Sequence, residues 1–167
     1  MFKKLFLLLL VVAPLAMFAQ DKIAFVNAEE VFSKMPELKD VESKLATKSE
    51  SIKKNIAALE KEYNDKLEAF RGDTANLTEA IILDRNKQLE DLQTRYQTFL
   101  QTSQQEYEKE QQSLITPLQE KLRGAIKTVG DESGYTYILN AGALLYSSPS
   151  NAVDAGSKVK AKLGITN

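Results

Sequence analysis

The chain has 167 residues, 27% of them charged, a formal net charge of −1, and no histidine, cysteine or tryptophan. Without His or Cys there is no imidazole acid–base pair, no thiol nucleophile, no nitrogen–sulfur metal site and no disulfide, which leaves open only a carboxylate-only magnesium or calcium site or a Ser/Lys dyad; no cofactor is expected. The length suits one domain of ordinary size, and the charge balance lacks the basic face that nucleic acid requires.

Lys3 and Lys4 precede an apolar run over residues 5–15, and Ala19 offers a small residue for cleavage. Residues 1–19 therefore read as a signal peptide, because the run is shorter than the roughly 20 apolar residues of a comfortable membrane span. The mature chain is expected outside the cytoplasm, with no stable membrane insertion. Loss of Lys3 and Lys4 leaves 20 basic against 23 acidic residues, a net charge of −3.

Ile23-Ala24-Phe25-Val26 is a continuous apolar run, which predicts a strand over 22–26 buried on both faces. Asn27 and Glu30 have the spacing of a helix N-cap and its acidic partner, so a helix over 28–35 follows. Val31, Phe32 and Met35 share one of its faces. Pro36 ends or re-aims the chain.

Residues 37–117 predict a coiled-coil hairpin arm. Leu38, Val41, Leu45, Ile52, Ile56, Leu59, Tyr63, Leu67 and Phe70 form a narrow apolar stripe, nearly all three or four apart. Val41, Ile52 and Tyr63 recur every eleven residues, as do Leu45, Ile56 and Leu67, a period for a nearly straight or slightly right-handed arm. Its length is about 50 Å at the usual helical rise. Arg71-Gly72-Asp73-Thr74 breaks the pattern and places a tip near 71–77. There Gly72 is expected in the left-handed conformation of a helix C-cap, and Asp73 or Thr78 caps the next helix. The returning stripe runs Ile82, Leu89, Leu92, Tyr96, Phe99, Ser103, Tyr107, Leu114, Leu118, Leu122, Ala125 and Val129. Pro117 interrupts it, and a kink or break is expected at that candidate hinge.

Residues 20–36 and 118–167 then form a body at the hairpin's base. Tyr135-Thr136-Tyr137-Ile138-Leu139 predicts a strand over 135–139, and Ala143-Leu144-Leu145-Tyr146 a strand over 143–146. A last helix is expected over 152–163. The carboxylates Glu60, Glu62, Asp65 and Glu68 show no ligand-loop spacing and read as the polar face of the arm.

Several of these segments together resemble the Skp/OmpH family of periplasmic chaperones. They are Lys22-Ile23-Ala24-Phe25-Val26-Asn27 with Val31-Phe32, Ala125-Ile126-Lys127-Thr128-Val129, Tyr137-Ile138-Leu139-Asn140-Ala141, Leu145-Tyr146-Ser147-Ser148, and Asp154 before the last helix. The likeness covers essentially all of the mature chain, with fairly specific ends and a generic coiled coil between them. It implies a mainly α protein with a small β body, assembled as a homotrimer in the periplasm. Unfolded outer-membrane proteins would be held without ATP in a cavity between three hairpins, with no catalytic residue. Sharing an apolar sheet among subunits would occupy Ile23, Phe25, Tyr137, Leu139, Leu144 and Tyr146, which are too apolar for a lone sheet with open edges. Off the seam, Ile81, Leu83 and Leu100, with Phe70 near the tip, are the candidate client-facing residues. Two departures stand out. The family's Asp-x-Thr before the last helix is Asp154-Ala155-Gly156 here. Residues 60–91 carry nine acidic against five basic side chains, so lipopolysaccharide binding by basic tips is not carried over. The coiled-coil pattern alone also fits a structural spacer or adaptor of the cell envelope.

Overall fold

A computed structural model describes residues 21–73 and 77–166. The expected signal peptide over 1–19 and the middle of the expected hairpin tip lie outside the described residues. The described residues divide into two compact units, one built from residues 21–35 with 119–166 and the other from residues 36–73 with 77–118.

In the first unit, β1 (Ile23–Val26) is the central strand of a three-stranded sheet, flanked by β2 (Tyr137–Asn140) and β3 (Val153–Asp154). Both pairings are parallel. Ile23 lies beside Tyr137 and Phe25 beside Leu139, while Phe25 also lies beside Asp154. Side chains alternate between the faces of a strand. Ala24 and Val26 are accordingly buried, and Ile138 packs close to Gly130 at its own register on that same side.

The buried face completes a core with Val31, Met35, Leu122, Ala125, Val129, Ala155, Val159 and Leu163. Three helical segments and the residues flanking them supply these side chains. The short helix α1 (Ala28–Ser33) starts where Asn27 Oδ1 accepts the Glu30 N–H at 3.0 Å, with Glu29 and Glu30 at the positive end of the helix dipole. The other two segments are the end of the long helix α3 (Glu79–Ser133) and the last helix, α4 (Gly156–Lys162). The α3 terminus reverses through Gly134, whose φ of 65° suits a residue without Cβ, and the Tyr135 N–H returns to the Gly130 carbonyl at 3.0 Å.

Three expectations for this unit need correction. The segment 143–146 is not a strand. A 3-10 turn over Ala141–Ala143 diverts the chain, and Leu144, Leu145 and Tyr146 follow without pairing to the sheet. The third strand is the two-residue β3, which occupies the start of the helix expected over 152–163 and leaves that helix only Gly156–Lys162. Nor is β1 buried on both faces within the chain, since Ile23 is 50% exposed.

In the second unit, α2 (Leu38–Gly72) pairs with the part of α3 up to Leu118. Partner numbers fall along α3 as they rise along α2. Lys48 Nζ donates to Glu106 at 2.8 Å, Tyr96 Oη to Glu60 at 3.0 Å, and Lys66 Nζ to Gln88 Oε1 at 2.9 Å. The two helices therefore run antiparallel, and both apolar stripes are withdrawn from solvent between them. Val41, Leu92 and Ser103 are buried, and the other seam residues of this unit are half-buried, except Ile82. Ile82 stays exposed because the trend of the pairs sets it opposite residue 73, where α2 has already ended.

Gly72 is not left-handed but is the last residue of α2. The carbonyls freed at that end are instead closed by Arg85, whose guanidinium donates to Phe70 O at 3.4 Å, to Asp73 O at 3.0 Å and to the Asp73 carboxylate. Thr78 caps α3, its Oγ1 accepting the Ile81 N–H at 3.4 Å. The helix α3 continues through Pro117, so the expected break is absent. Proline carries no N–H, so the ladder lacks its bond to the Ser113 carbonyl at that point.

Candidate functional site

Two surfaces, one in each unit, collect the residues singled out above. The first is the uncovered face of the sheet. In-register neighbours Ile23 and Tyr137 are 50% and 58% exposed, and Leu139, beside half-buried Phe25, is 40% exposed. Strand alternation sends these side chains to the face opposite the Ala24–Val26 core. Leu145 and Tyr146, between β2 and β3, are exposed as well, whereas Leu144 is half-buried; Val153 on the edge strand is also exposed, but its register with Ala24 puts it on the other face. Of the six candidate assembly residues, the sheet therefore gathers Ile23, Phe25, Tyr137 and Leu139. Leu144 and Tyr146 lie outside any strand.

Ion pairs and caps hold that unit's frame. Lys34 and Lys160 both donate to Glu30 Oε1, at 2.9 and 2.7 Å. The hydrogen bond from Lys160, then that from Lys34, lowers the Glu30 carboxyl to about 2. Glu30 and Lys160 thereby tie α1 to α4. Asp154 Oδ1 accepts the Gly156 N–H at 2.7 Å, so the first N–H of α4 is satisfied from Asp154 despite the missing threonine.

The second surface is the solvent side of the helix pair. Ile81, Leu83 and Leu100 are exposed, Leu83 to 72%. Leu100 borders an open groove of about 460 Å³ lined also by Ile52, Ser103 and Tyr107. Phe70 differs from the other three candidates. It is half-buried, with the Arg85 guanidinium 5.1 Å from its ring centroid, a cation–π contact that covers one face. Leu77 and Ile82 join the exposed apolar group near the start of α3. The signal for Ile82 was available, because its stripe outruns the last stripe residue of α2.

Among the described residues no group of His, Cys, Asp or Glu could hold a metal ion, and no helix is long and apolar enough to cross a membrane. What the two surfaces offer is exposed apolar side chains, on one sheet face and at separate points along the helix pair.

Comparison with known proteins agrees with this picture. The chaperone protein Skp of Yersinia enterocolitica is 25% identical over 138 residues, covering 80% of this chain and 82% of its own length. The Skp of Pectobacterium atrosepticum is 24% identical over 144 residues, covering 82% and 83%. The crystal structure of an OmpH-like outer membrane chaperone from Caulobacter crescentus superposes with a TM-score of 0.75 at 16% identity, over 87% of this chain and 85% of that one. Residues 22–163, which span both units, match the family described as Outer membrane protein (OmpH-like), and the chain belongs to that family.

Proposed function

We propose that the chain is exported to the periplasm and acts there as an ATP-independent holdase, a homotrimer that keeps unfolded outer-membrane proteins from aggregating. The observation that carries this reading is the sheet face of Ile23, Phe25, Tyr137 and Leu139, apolar and uncovered in the single chain. An open sheet of this kind invites self-pairing unless it is covered. Closed assembly of like chains through that face covers it, and the relatives named as chaperones supply the role.

Holding many unrelated sequences calls for broad, weak apolar contact and no consumed cofactor. The exposed Ile81, Leu83 and Leu100 fit that demand, and the two-helix arm has little packing beyond one seam, which favours local flexing over rigidity. The test is dilution of a urea-unfolded β-barrel protein into buffer containing the mature chain and no nucleotide, followed by light scattering. Suppressed aggregation is expected. Unchanged aggregation contradicts the reading.

A further inference from the structure

The start of α3 carries apolar side chains in every direction. Leu77, Ile81, Ile82 and Leu83 are all exposed. Consecutive helical residues are turned by about 100°, so Ile81, Ile82 and Leu83 point three ways and no flat surface covers them together. Their occupant has to be flexible enough to wrap a convex helix end.

The charge around them says what that occupant carries. Between Glu60 and Asp91 there are nine acidic and five basic residues. Three of the basic groups are already engaged: Lys61 with Asp65, Lys66 with Gln88 and Arg85 with Asp73. The carboxylates of Glu68, Glu79, Glu90 and Asp91 have no hydrogen bond or ion pair with other described residues. Like charge disfavours a second copy of the same tip and an anionic lipid surface alike.

We propose that this acidic, apolar end of the hairpin binds extended polypeptide segments in which apolar side chains sit beside lysine or arginine. The apolar side chains of such a segment cover the leucine and isoleucines. Its lysine or arginine stems lie along the same surface while their charged heads reach the carboxylates. The inference rests on the reading of the chain as a binder of unfolded polypeptide and names the class of segment it selects.

The test measures fluorescence anisotropy of labelled, unstructured peptides with the mature chain. One peptide mixes leucine with lysine, a second leucine with glutamate, and a third serine with lysine. The leucine–lysine peptide is expected to bind about tenfold more tightly than either of the others, a preference largely lost at high salt. Leu83→Ser and Glu79→Gln, both at exposed positions, are expected to weaken it by about three- to tenfold with helicity unchanged. Equal binding of the lysine and glutamate peptides, or no effect of Leu83→Ser, overturns the proposal, as does preferential binding to phosphatidylglycerol vesicles. Aggregation suppression measured on the same samples separates the two levels. If it persists without a charge preference, the inference alone fails. If suppression and peptide binding are both absent, the holdase reading fails with it.

Discussion

The Asp154 carboxylate sits so close over Gly156 that an added Cβ at 156 would lie 2.9 Å from Oδ1, the same oxygen that accepts the Gly156 N–H at 2.7 Å. Two effects then compete at this site. Replacing Gly156 by Ala displaces the carboxylate and forfeits a hydrogen bond worth about 1 kcal/mol, yet alanine is the better helix former by up to a similar amount. Gly156→Ala should therefore be close to neutral, whereas Asp154→Ala should destabilise by about 1 kcal/mol with nothing to offset it. The double variant should recover most of that loss, since the added methyl group no longer meets a carboxylate. Chemical denaturation of the three variants checks the cycle, and a double variant weaker than Asp154→Ala would contradict it.

Leu139 lies next to Phe25 on the open sheet face and is exposed in the single chain. A charge placed there need not enter the core of the protomer, but it would be buried at a shared face, at a cost of several kcal/mol per unpaired ion. Leu139→Asp is expected to give folded monomer, seen as a lower sedimentation coefficient with unchanged helicity. Persistence of the wild-type assembly would remove this face from the interface.

Glu30 links pH to stability. Its folded value of about 2 lies below the ordinary 4.5, so its contribution is fully present above pH 4.5 and is lost as the pH falls from there toward 2. With the Glu30 side chain 44% exposed, solvent screening keeps the effect modest. Glu30→Gln should lower stability at neutral pH and flatten its fall across that acid window. Denaturation midpoints taken between pH 6 and pH 2.5 show this, and parallel curves for the two proteins would refute it.

Pro117 sits in an unbroken helix, exposed, with one ladder bond missing. Pro117→Ala restores the N–H for the Ser113 carbonyl and should slow amide exchange over residues 114–121 without changing assembly. If this position is a hinge, the stiffer arm should also hold a narrower range of client sizes in an aggregation assay. Unchanged exchange together with unchanged client range would remove the hinge.

Elements with strong local chemistry were readable in the sequence. The Asn27 cap, the two apolar stripes and the run around β1 each follow from residue spacing, and each has its counterpart in the fold. The failures arose where tertiary context overrode an apolar run. Ala143-Leu144-Leu145-Tyr146 has the composition of a strand but does not pair, and Val153 and Asp154 take the place beside β1. Phe70 looked free because its cover, Arg85, comes from the other helix, a contact that no local pattern reveals. Arg85 likewise closes the end of α2 that Gly72 was expected to turn. The open face of the sheet was visible only as a surplus of apolar residues, and its pairing register came from the fold.

The proposed homotrimer holds its unfolded client without nucleotide. Native mass spectrometry of the mature chain mixed with a urea-unfolded β-barrel protein, with no ATP present, reads out that assembly. The predicted result is a complex of three chains with one client molecule, formed by the wild type and absent for Leu139→Asp. A complex containing a single chain, or no client-bound species at concentrations that suppress aggregation, would contradict it.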